Sequence, residues 1–181
     1  MEVGRAKLLR LIYSLKDFQM ALSAYDFLTE CDLDAPISTV NLRRFKSYET
    51  TMVVSYMRPF SSADGEIKKM SFDDLDLVLT PDQEELHSRI RILRNKVFAH
   101  SDGDRMRLLA KPLKINMKDG FSFSTFQTYF DEGLEFSDYQ SLMAVGCLIR
   151  LMFEATWESV HRSLGESCNW DEIRQDHYVQ I

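Results

Sequence analysis

The chain has 181 residues, 45% of them hydrophobic and 28% charged, which is ordinary for one soluble globular unit with a sizeable core. Its 22 basic and 28 acidic side chains give a net charge of −6, which argues against broad electrostatic binding of nucleic acid and confines any RNA contact to a local basic patch. Cys31, Cys147 and Cys168 are an odd, widely spaced set, and neither a signal peptide nor an apolar run of about 18 residues occurs, so the expectation is a cytoplasmic protein with reduced thiols and no membrane span.

From Ala6 to about Glu30, Leu8, Leu11, Leu15, Phe18, Leu22 and Tyr25 recur at alternating spacings of three and four, the pattern of a long helix with a packing seam. The seam suits either the core or a second subunit, and a long amphipathic helix ordinarily spends its apolar face on the core. Asp32 to Pro36 breaks it. Ser38 or Asn41 then caps a second helix running to Arg58, with Leu42, Phe45, Tyr48, Met52 and Tyr56 as its buried stripe and Pro59 as its stop. Ser61 to Gly65 reads as a loop, and Ser71 with Asp74 predicts a short helical turn towards Leu79.

The third helix is the best marked. Thr80 is its N-cap, Pro81 its first residue and Gln83 the partner in a capping box, while Leu86, Ile90, Leu93 and Val97 form its apolar stripe. Ser101, Asp102 and Gly103 end it, which puts His100 in the last turn, where the negative helix end favours an imidazolium.

Beyond it, Leu113, Ile115 and Met117 alternate with polar residues, as do Phe121 and Phe123 past Lys118-Asp119-Gly120, which predicts a β-hairpin at about 112–124. A three-residue loop with Gly120 left-handed pairs Ile115 with Phe123 and Met117 with Phe121, and is preferred to a two-residue Asp-Gly turn. Ser137 with Gln140 predicts the capping box of a last long helix through Leu142, Val145, Ile149, Met152 and Phe153 to Leu164. Asn169 opens a short terminal helix. The fold class expected is all-α, a four-helix bundle with a hairpin inserted before the last helix: one domain over 1–165, then a short helix and tail over 166–181.

Arg94-Asn95 followed, five residues on, by His100 resembles the signature of the HEPN superfamily, and RNKVFAHSD resembles its abortive-infection type. Tyr56-Met57-Arg58-Pro59-Phe60 also resembles the pattern of that type. The resemblance implies a helical HEPN domain over most of residues 1–165. It also implies a metal-independent endoribonuclease, of toxin or phage-defence kind, working as a homodimer whose two motifs share one cleft. RNA is then the substrate, and an antitoxin or other protein a possible partner. The alternative is a non-catalytic HEPN module that binds RNA, a nucleotide or a protein.

The residue chemistry fits cleavage through the 2′-hydroxyl, which needs a base, an acid and charge stabilisation on the phosphate. His100 titrates near neutrality, Arg94 stays charged and grips phosphate oxygens with a bidentate fork, and Asn95 can orient either. On an ideal helix Arg94 and His100 diverge by about 120° and about 9 Å along the axis, so a second copy is needed to assemble acid and base. His87, Arg91 and Arg94 make a strip suited to RNA, or simply a solvated charged face. Arg58 suits an accessory phosphate contact but better suits a helix C-cap. Equally bland roles exist for the signature pair: His100 as a cap of its own helix, Arg94 as the partner of an acidic residue on the second helix. The histidines and cysteines lack zinc-type spacing, Asp73, Asp74 and Asp76 lack the rest of a calcium loop, and neither a nucleophile elbow nor a glycine-rich phosphate loop occurs, so neither a metal nor a cofactor is expected.

Overall fold

The computed structural model describes residues 2–32, 35–61, 68–95, 108–116, 120–130 and 133–164. Four helices, α1 (Glu2–Leu28), α2 (Thr39–Met57), α3 (Pro81–Leu93) and α4 (Tyr139–Leu164), form a bundle, with a 3₁₀ turn at Phe72–Leu75 before α3. An antiparallel hairpin of β1 (Leu108–Asn116) and β2 (Ser122–Phe130) comes before the last helix.

α1 packs along both α2 and α4, and α3 lies against α2 and α4. The buried face of α1 is Leu11, Ser14, Phe18, Ala21, Ala24 and Leu28. Leu8, Leu15, Leu22 and Tyr25 of the expected seam flank that face and are only partly buried. The face therefore sits slightly round the helix from the large residues, because Ala21, Ala24 and Ser14 let the neighbours approach closely. Ser14 is satisfied within its own helix, its hydroxyl donating to the Arg10 carbonyl at 2.7 Å. Gly146 makes room of the same kind on α4: a Cβ there would lie 2.4 Å from the Tyr25 ring.

α2 starts as its sequence dictates, with the Ser38 hydroxyl accepting from the Asn41 amide, and Phe45, Met52 and Tyr56 are buried. Both sides of the capping box are present at Ser71/Asp74 and again at Thr80/Gln83, with Pro81 at the head of α3. α4 departs from expectation at its cap. Asp138 rather than Ser137 takes the role: it immediately precedes Tyr139, where the helix starts, and its carboxylate accepts from the Ser141 amide at 2.8 Å beside the positive helix end. Leu142, Val145, Ile149 and Met152 are buried as the stripe requires, but Phe153 is only partly so.

The hairpin keeps the expected register, Ile115 opposite Phe123 and Leu113 opposite Thr125, and is longer than expected at both ends. Gly120 has φ +86°, the left-handed conformation for which glycine is suited. Met117, Val97 and the expected helix after Asn169 lie outside the described residues.

The chain re-enters the bundle through Gly133–Phe136, held by three side chains. The Lys46 ammonium donates to the Gly133 carbonyl at 3.0 Å and to Glu49 at 2.7 Å. Glu49, 1% exposed, accepts from the Phe136 amide at 2.9 Å. Arg89 of α3 donates to the Glu135 carbonyl at 2.8 Å and stacks over the Phe136 ring. A buried carboxylate stands only where it is paired and bonded on both oxygens, and Glu49 meets that condition.

Candidate functional site

The end of α3 positions Arg94 and Asn95. Ile90 and Leu93 bury the apolar stripe, and this fixes the azimuth of every other side chain on the helix. Arg94 follows in right-handed helical conformation, with φ −55° and ψ −47°, its amide donating to the Arg91 and Ile90 carbonyls.

Arg94 is half-buried and Asn95 exposed. One terminal nitrogen of the guanidinium donates to the Asn95 side-chain carbonyl at 3.0 Å. Its Nε is shielded from solvent with no hydrogen-bond partner among the described residues. A guanidinium offers five donors in a planar fork; here one is spent on the neighbour that holds it, and a buried one is left over. His100 lies outside the described residues, so the Arg94–His100 separation is not part of the described geometry.

His87 is drawn away from the strip. It is 9% exposed, its Nδ1 2.9 Å from the Tyr56 hydroxyl, and its ring meets Phe60, Phe72 and Tyr56 edge-on at 4.8, 5.0 and 5.7 Å between centroids. Burial, reinforced by the Arg91 guanidinium, pushes its pKa down to about 4, so the imidazole is neutral at physiological pH. Burial also raises the Tyr56 phenol, keeping it protonated. Arg91 is exposed. The three residues of the strip thus divide into one core histidine and two arginines.

No family model, curated protein or solved structure matches the chain.

Arg58 stands at the C-cap of α2 and its guanidinium pairs with Asp17 of α1 at 3.3 Å. Burial raises the Asp17 pKa and Arg58 works against that rise. The tie is to α1, not to α3. The acidic residue of α2 that faces inward, Glu49, is engaged by Lys46 and the Phe136 amide rather than by Arg94.

The sequence reading missed the Tyr56–His87 pair and the Glu49 clip, though both left a signal. Glu49 falls four residues after Phe45 and three before Met52, on the apolar stripe itself, and His87 falls three before Ile90. A polar residue on a buried stripe announces a partner. Among the described residues no cluster of three or more histidine, cysteine or acidic side chains is arranged to hold a metal.

Proposed function

We propose that the protein is a HEPN-type endoribonuclease in which Arg94 binds the scissile phosphate, Asn95 holds Arg94, and His100 moves the proton of the 2′-hydroxyl or of the leaving 5′-oxygen. The observation that carries this reading is Arg94 itself: a half-buried guanidinium at the end of α3, one terminal nitrogen held by the side chain of the exposed Asn95. An anion arriving at the accessible side of that fork meets a charge already oriented by its neighbour. The bundle with a hairpin before its last helix is compatible with the family. So is α3 as the rigid element presenting the signature, anchored by two capping-box bonds at its start and by Leu93 at its end.

Because one histidine cannot be acid and base in the same step, the reading includes a symmetric homodimer in which two α3 ends share a cleft, as befits a toxin or defence nuclease that meets its RNA only when needed. Arg91 lines the approach as the exposed member of the strip. Arg58, tied to Asp17, takes no part.

The test is RNA cleavage by purified protein in EDTA, with the termini of the products identified. Wild type is expected to leave 2′,3′-cyclic phosphate ends. His100→Ala is expected to lower the rate about 10²–10⁴-fold, the usual worth of a positioned acid or base, and Arg94→Ala about 10²–10³-fold, the usual worth of a preorganised charge-stabilising donor. Equal products from wild type and His100→Ala overturn the catalytic reading. The withdrawal of His87 into the core, which leaves one imidazole fewer on the surface of α3, favours as second reading a module that binds RNA, a nucleotide or a protein without cutting; its sign is RNA retained by the wild type, uncut, and released by Arg94→Ala.

A further inference from the structure

Over 112–116 and 122–126 the hairpin stands in solvent on both sides. Across 112–116 and 122–126 every residue is exposed except Ile115 and Thr125, which are half-buried against their cross-strand neighbours. Leu113 and Phe123, 42% and 41% exposed, share one face, and Phe126, 71% exposed, lies on the other. A two-stranded hairpin with both faces wet is marginal in water and gains most from a further strand.

Its two outer edges are unlike. β1 carries Pro112 and Lys114. Proline has no N–H to offer a neighbouring strand, and a lysine repels its counterpart on an approaching copy, so this edge is blunted in the ways natural sheets use against unwanted pairing. β2 reads Ser-Phe-Ser-Thr-Phe-Gln-Thr-Tyr-Phe, with neither a charge nor a proline in nine residues. Its composition of aromatic and threonine residues is that of a strand former. Among the described residues no third strand pairs with it.

We propose that the open edge of β2 pairs antiparallel with β2 of a second copy, joining two hairpins into one four-stranded sheet in the order β1-β2-β2′-β1′. The second copy is the occupant the edge fits. An uncharged strand can meet itself in any register without setting like charges opposite one another. A two-fold axis between β2 and its copy closes the contact, and the blunted β1 edges stop the sheet at four strands. Side by side, the Leu113/Phe123 faces continue into one apolar surface. The pairing is a property of the hairpin and does not rest on the ribonuclease reading.

The experiment uses the full chain. Sedimentation velocity across the micromolar range is combined with amide hydrogen exchange of β1 and β2 at the same concentrations. The wild type is expected to dimerise with rising concentration, exchange in β2 slowing while the outward amides of β1 keep their rate. Ser124→Lys with Phe126→Lys is expected to weaken the dimer at least about tenfold, since like charges on paired strands repel, with an unchanged circular dichroism spectrum showing that the bundle is intact. Pro112→Thr with Lys114→Thr opens the second edge and is expected to give species larger than a dimer. A wild type that stays monomeric throughout, its β2 left to an extended segment of another protein, overturns the proposal. So does a dimer that survives the two lysines with β2 exchanging at the monomer rate. That second outcome places the interface elsewhere and leaves the reading of Arg94 standing.

Discussion

His87 and Arg94 stand seven residues apart on α3, within about 20° of one another around an ideal helix, and the fold treats them oppositely. Phe60 and Phe72 close over His87, Tyr56 bonds it, and it becomes an uncharged core residue. At Arg94, one turn past the last buried isoleucine, the side chain is only half-buried and a terminal nitrogen reaches the exposed Asn95. Shared helical phase therefore does not make a shared surface. What lies above each position decides, and above His87 lies a 3₁₀ turn whose Phe72 comes from a different part of the sequence.

The comparison breaks most severely if the packing that sets the phase of α3 is wrong. Leu93 is 2% exposed, immediately before Arg94. Leu93→Ala removes its transfer energy and leaves a cavity, at an expected cost of about 2–5 kcal/mol in urea denaturation. A loss under about 1 kcal/mol would mean that the stripe faces elsewhere and that Arg94 is misplaced with it.

Next in size is the environment of His87, read through pH. The folded imidazole has its pKa pushed down to about 4 against an ordinary 6.5. Between those values the unfolded chain binds the proton and the folded one does not, so stability falls as pH drops from 6.5 to 4 and the loss is complete below 4. At about 1.36 kcal/mol per unit the expected loss is on the order of 3 kcal/mol. His87→Phe should flatten this part of the pH–stability profile. A profile identical to wild type would show that the histidine titrates freely and belongs to the surface strip after all. A smaller effect is expected of Tyr56→Phe, which leaves the His87 ring in place but deletes its bond, at about 1–3 kcal/mol.

These residues also mark how much the sequence disclosed. Helix starts were legible because they are local chemistry: Ser38, Thr80 with Gln83, and Ser71 with Asp74 each satisfy amides within three residues of themselves. The register of the hairpin was legible for the same reason, through Gly120 and the alternation around Ile115 and Phe123. At α4 the expected cap was one residue out: the carboxylate of Asp138, not the Ser137 hydroxyl, takes the Ser141 amide. What lay beyond local reading was pairing across the chain. Glu49 finds the Phe136 amide and Tyr56 finds His87 through contacts 87 and 31 residues long, and one-dimensional periodicity carries no information about which buried polar groups meet. Of the signature itself, Arg94 and Asn95 are placed and joined, whereas the role of His100 is still an expectation from the family resemblance.

The smallest effect on stability is expected at Arg94, and it is the most informative about function. Its one hydrogen bond among the described residues is to the adjacent Asn95, a contact that adds little to folding, and its buried Nε carries the cost of a donor withheld from water. Arg94→Met keeps the length and apolar stem of the side chain and removes both the charge and the unspent donor. The variant is therefore expected to match or exceed wild-type stability, within about 0.5 kcal/mol of neutral, while losing RNA cleavage or retention. Sites held ready for a ligand commonly trade stability for function in this way. The urea midpoint, with the slope of the transition checked as constant, is the measurement. If Arg94→Met instead costs more than about 1 kcal/mol, the guanidinium is holding the fold together at the end of α3, its donors are already spent, and the case for an anion site there is lost.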